Sequence, residues 1–153
     1  MTETNPSSRA WGLPDPDTQP EFYRDVLTKR LIAWFVDVIV IGLVVTLLTV
    51  MSIFTALFFL PLVWMTVGFL YRWATIAGKS ATPGMRLVSL ELRRSDGSPF
   101  DGTTAFLHTA GYFFSVVTFP LQLISIVMML LSEKKQGLTD MILGTVAINR
   151  RLD

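Results

Sequence analysis

Residues 31–71 read LIAWFVDVIVIGLVVTLLTVMSIFTALFFLPLVWMTVGFLY, 41 positions between Arg30 and Arg72 that hold one charged side chain, Asp37. A membrane-spanning helix takes about 20 apolar residues at about 1.5 Å of rise each. The run is therefore two helices, expected near 29–49 and 53–73. The joint at 50–52 is short and uncharged, which predicts a tight helical hairpin. Composition agrees with this reading. The 153 residues are 51% hydrophobic and 16% charged, and mean hydropathy is +0.50. Soluble domains carry about 25% charged residues, because a wet surface needs them. The expected class is an all-α integral membrane protein of one domain.

The same composition excludes several chemistries. There is no cysteine and one histidine, so disulfides, thiolate metal sites and multi-histidine metal centres are out, and no cofactor is expected. A net charge of +1 gives no nucleic-acid footprint. Gly78-Lys79-Ser80 suggests a phosphate loop, but that motif needs a glycine five residues before its second one. Trp73 stands there, so no nucleotide is expected.

A second charge-free run covers Gly102–Ser132, 31 residues with Pro120 inside. As one helix it would be about 46 Å long against a hydrocarbon core of about 30 Å. It is either one tilted, Pro-kinked span or two short helices bent near Pro120, within an expected segment of 103–132. Residues 1–20 are polar and carry four prolines, which predicts a disordered tail rather than a cleaved signal. Glu21–Lys29 is expected as a short helix with Phe22, Tyr23, Val26 and Leu27 on one face.

Charge gives the orientation. Arg24, Lys29 and Arg30 precede the first helix, and Arg72, Lys79, Arg86, Arg93 and Arg94 follow the second. Lys134, Lys135, Arg150 and Arg151 follow the second apolar run, while the joint at 50–52 has no basic residue. The positive-inside rule puts the N-terminus, the middle loop and the C-terminus in the cytoplasm. An even number of crossings follows. Strand signals point the same way. Val88, Leu90 and Leu92 alternate with polar residues within a candidate strand at 86–93, and Asp96-Gly97 supplies a turn. Ser98–Asp101 is too short and proline-broken to be a good partner. Thr145–Asn149 is the other candidate. A lone strand leaves backbone groups unpaired, so these two are expected to pair as a small cytoplasmic β element.

Four charged residues are candidates for a site: Arg30, Asp37, Arg72 and Asp140. A carboxyl inside a spanning helix costs about 2.5–3.5 kcal/mol at the centre. Asp37 lies about 9 Å beyond Leu31 along the axis. It is expected either as an ion or proton site or as a structural carboxylate paired with Arg30 or Arg72. His108 reads as a packed or interfacial histidine, and Asp140 as a solvated or capping aspartate.

In order and spacing, these pieces resemble the RDD family of small bacterial membrane proteins. Arg30-Leu31-Ile32-Ala33 with Asp37 resembles the family's first-helix pattern. Gly78–Leu87 resembles the segment after its second helix, Asp96-Gly97 falls where relatives often have it, and Gln136–Thr145 resembles the C-terminal aspartate motif. The likeness covers about residues 24–150. Many relatives carry arginines early in the third segment, where this chain has Thr104, Phe106 and His108. The basic charge before the C-terminal motif is also displaced, to Lys134 and Lys135. The resemblance implies transport of an unknown ligand, or sodium–proton exchange, in the inner membrane; two to four helices are too few for a path through one monomer, so either would need an oligomer. The sparse polar content of the first two helices favours a different reading: a non-enzymatic accessory or assembly module whose Arg30, Asp37 and Asp140 are structural clamps. Expected partners are the lipid bilayer and either a second copy or another membrane protein.

Overall fold

The computed structural model describes residues 12–150. The first helix, α1, runs Val26–Met51, and α2 runs Leu60–Lys79. Both are long and apolar enough to cross a membrane. The joint is longer than the sequence suggests. Ile53 and Phe54 take positive φ, and a 3-10 turn at Thr55–Phe59 follows before Pro61 starts α2 in its first turn. Proline suits that position because its missing N–H has no helical acceptor there. This displaces the second helix from 53–73 toward the C-terminus.

After α2 the chain makes a one-turn helix, α3 (Pro83–Leu87), where the sequence pattern suggested the start of a strand. Thr82 caps it by accepting from the Met85 N–H, and Pro83 occupies its first turn. The strand β1 is Leu90–Arg94. It pairs antiparallel with β2, Thr145–Asn149, in the register Leu92↔Ala147. Its other edge bonds the turn at Asp96-Gly97: the Arg94 N–H reaches the Ser98 carbonyl at 2.9 Å. Pro99 makes a single bridge to Arg93 and no strand of its own.

Between the strands lie α4 (Gly102–Val117), α5 (Phe119–Leu131) and α6 (Leu138–Leu143). Helices α4 and α5 are about 24 and 20 Å long, each shorter than a hydrocarbon core of about 30 Å. They bend by 116° at Thr118. Pro120 starts α5 rather than kinking a continuing helix, so the break falls two residues earlier. The apolar run 103–132 is thus a bent pair, not one straight span. Since β1 and β2 pair, the segments on either side of α4 and α5 come together at one end of the molecule.

Packing is concentrated at the sheet end. Leu90, Leu92 and Ala147 join Val26, Ala33, Ile76, Met85 and Phe100 in the main core. The opposite side of β2 offers Val146 and Ile148 to Phe22, Tyr23 and Leu13. Farther along the hairpin, Leu43, Leu47, Met51, Ile53 and Phe58 stay exposed, as a lipid-facing surface requires. Two expectations for the N-terminal region change. Residues 1–11 of the expected tail lie outside the described residues. Residues 12–19 do not hang free: Leu13 packs on the sheet, and Tyr23 Oη donates to the Pro14 carbonyl at 2.7 Å. The expected helix at 21–29 is broken at Asp25, whose φ is +57°. Phe22, Tyr23 and Val26 are buried within the protein.

Candidate functional site: two buried carboxyls and an arginine on a tyrosine ring

Helix α1 buries a single stripe: Ala33, Asp37, Ile41, Val45 and Thr49 recur every four residues. Asp37 is 1% exposed. Its Oδ1 accepts from Tyr71 Oη and from the Gly84 N–H, both at 2.9 Å, and Oδ2 accepts from Thr82 Oγ1 at 2.5 Å. The carboxyl therefore ties α1 to α2 and to the first turn of α3. Gly84 is required by proximity. A Cβ there would lie 2.2 Å from the Ala33 carbonyl oxygen.

The expected arginine partners of Asp37 are elsewhere. Arg30 precedes Asp37 by seven residues, about 10 Å along the helix axis, which is too far for contact. Arg72 is adjacent to Tyr71 in sequence, but one residue of helix turns it about 100° away. Its guanidinium lies over the Tyr112 ring of α4, 4.3 Å from the centroid.

Arg30 reaches the other aspartate. One guanidinium nitrogen donates to Asp140 Oδ2 at 2.7 Å, and the other to the Lys135 carbonyl at 3.0 Å. His108 Nε2 stands 3.0 Å from Asp140 Oδ1. Thr145 Oγ1 donates to the same oxygen at 3.0 Å, and the Gly137 N–H reaches Oδ2 at 3.3 Å. Asp140 is 2% exposed, so it is neither solvated nor merely a cap. It joins α1, α4, the turn before α6 and the start of β2. Gly144 makes that last link possible: its φ of +65° ends α6 and turns the chain directly into β2. Burial alone pushes the Asp140 carboxyl up, but the Arg30 charge and the His108 bond outweigh it. The group is held well below the usual carboxylate range.

Three of the four candidate residues are thus built into two separate clusters, and Arg72 stands apart from both. Sequence reading missed Tyr71, Thr82, Gly84 and Thr145 as partners. Thr82-Pro83 carries a helix-start signal that pointed to α3. Nothing local marks Tyr71 or Thr145, because their roles depend on contacts across distant segments. Among the described residues, no three His, Asp or Glu side chains are grouped to hold a metal ion.

Removing the Asp37 carboxyl tests its role. Asp37→Leu orphans two buried donors, Thr82 Oγ1 and the Gly84 N–H, and a partly buried one, Tyr71 Oη; at about 1–3 kcal/mol for each buried donor, stability should fall by about 2 kcal/mol or more. Gly84→Ala should lose about 1–3 kcal/mol by overpacking at the same junction. Thermal unfolding in detergent measures both, and an unchanged midpoint in Asp37→Leu contradicts the clamp.

Asp140 gives a pH dependence. Its carboxyl is more acidic folded than unfolded, so its contribution is complete above the ordinary value of 3.8 and is lost as pH falls below it. The unfolding midpoint should drop from about pH 5 downward. The drop should be shallower in the double variant Arg30→Met/Asp140→Leu. Equal slopes would show that Asp140 contributes nothing to the acid limb.

A model of the RDD family matches residues 25–144. Neither the comparison with curated proteins nor that with solved structures finds a match. The matched stretch takes in Arg30, Asp37, Asp140 and every α-helix of the described fold, and the chain belongs to the RDD family.

Proposed function

We propose that this membrane protein is a non-catalytic assembly module of the inner membrane. Its hairpin and bent helix pair hold a rigid cap, made of α3, α6 and the strand pair, at the cytoplasmic face. The partner is a second copy or another membrane protein. The observation that carries this reading is the state of the two buried carboxyls. All four of their oxygens are occupied by donors from distant segments. A carboxyl that takes up and releases a cation or proton in each cycle has to give up donors each time, and oxygens already held by several segments resist that. Orientation is supported by charge. Lys29, Arg30, Lys79, Arg86, Arg93 and Lys135 flank the sheet end of the helices, and residues 50–59 at the opposite end carry no charge.

One observation favours a second reading, ion-coupled exchange by an oligomer. His108 Nε2 stands 3.0 Å from the Asp140 carboxyl in a buried setting.

Proteoliposomes separate the two. The assembly reading expects no proton-coupled cation flux above that of empty vesicles, together with a lowered unfolding midpoint in Asp37→Asn. Flux in the wild type that disappears in a normally stable Asp37→Asn variant supports exchange and overturns the assembly reading. Reporter fusions check orientation: a fusion at Asp153 should read cytoplasmic and one at Met51 external. The reverse pattern overturns the placement of the cap.

A further inference from the structure

Arg72 is 8% exposed inside a spanning helix, and among the described residues its guanidinium makes no hydrogen bond or ion pair. Its one contact of consequence is the face of Tyr112. A guanidinium carries five N–H donors in a fixed fork and no acceptor, so ring contact leaves that fork unspent. Buried arginines in membrane segments normally have an anionic or carbonyl partner.

The surroundings are donor-rich as well. The Tyr112 hydroxyl accepts from Trp34 Nε1 at 2.9 Å, and among the described residues its own proton has no acceptor. Thr109 lies three residues before Tyr112, on the same side of α4. It is 1% exposed. Its Oγ1 is, among the described residues, the one fully buried side-chain polar atom without a hydrogen-bond partner. The Arg72 nitrogens are not sealed in this way. One turn nearer the sheet on α1 and α4, Arg30 and His108 meet Asp140, whose charge is already matched. The Asp37 carboxyl is taken up by Tyr71, Thr82 and Gly84. Among the described residues no ion pair matches the charge of Arg72.

We propose that α1, α2 and α4 enclose an oxyanion site whose donors are the Arg72 guanidinium and the hydroxyls of Tyr112 and Thr109. Its ligand is a phosphate group, whose oxygens match the planar fork of arginine in paired bonds. That group comes either from a soluble phosphate or from the headgroup of an anionic lipid. The site is separate from the two carboxyl clusters, and it stands whether or not the assembly reading holds.

The test uses the full chain in uncharged, phosphate-free detergent. One arm titrates inorganic phosphate, and the other titrates phosphatidylglycerol in mixed micelles. The unfolding midpoint is read in both. The wild type should show a saturable rise in at least one arm. A rise with inorganic phosphate identifies a soluble ligand, and a rise with the lipid alone identifies a headgroup. Thr109→Val and Tyr112→Phe should each weaken the apparent affinity by about 5- to 10-fold, the loss expected for one hydrogen bond. Arg72→Gln should abolish the response. Thr109→Val keeps the side-chain shape and removes a hydroxyl with no partner, so without an oxyanion site the titration is unaffected by it. If Arg72→Gln fails to fold, the two hydroxyl variants decide. No saturable rise in either arm, or equal affinities in wild type and hydroxyl variants, overturns the proposal.

Discussion

A carboxyl group packed among apolar helices has to recover the hydration it gives up, and this chain meets that demand by drawing distant segments onto its two buried aspartates. Asp140 does most of this. Its oxygens bring together Arg30 from α1, His108 from α4, the backbone before α6 and Thr145 at the start of β2. The pairing of β2 with β1 then closes the chain back onto the end of α2. Removing the carboxyl leaves a largely buried guanidinium, 16% exposed, without its counter-charge, which is costlier than the pair is stabilising. Asp37 repeats the arrangement on the other side of the cap, with neutral donors in place of a cation.

This explains why order is concentrated at one end. Between lipid-exposed helices there is little hydrophobic drive to associate, because hydrocarbon tails are as apolar as leucine. The far half of the hairpin accordingly presents Leu43, Leu47 and Phe58 outward. Near the sheet, hydrogen bonds and a compact apolar cluster of Val26, Ile76, Leu90, Leu92 and Phe100 do the holding. Lys29 Nζ adds a bond to Asn149 Oδ1 at 2.7 Å, so the end of β2 is tied to the start of α1.

Much of the architecture was legible because charge is so costly in lipid. The charge-free runs located the hairpin and the bent segment, and the alternation at 88–92 and 145–149 located the strand pair. The helix limits were less legible, since Ile53, Phe54 and the 3-10 turn after them are as apolar as the helices they separate. Asp37 stood out as the lone charge in a 41-residue run. Its partners did not, because a hydroxyl or a backbone N–H leaves no mark that periodicity can read. The attraction of opposite charges pointed to Arg30 or Arg72. Helix geometry sends Arg30 one level lower, to Asp140, and turns Arg72 toward Tyr112. Asp140 looked ordinary because it lies outside the apolar runs, and its burial comes from the fold of α6 and β2 over it.

The central claim is that the Arg30–Asp140 contact is a structural clamp. A double-mutant cycle of Arg30→Met, Asp140→Leu and the pair, followed by thermal or denaturant unfolding in detergent, tests it most directly. Each single change should destabilise by about 3–5 kcal/mol, and the double variant should recover most of that loss. Singles whose costs simply add in the double variant would show that the two side chains do not act as a pair, and would contradict the account.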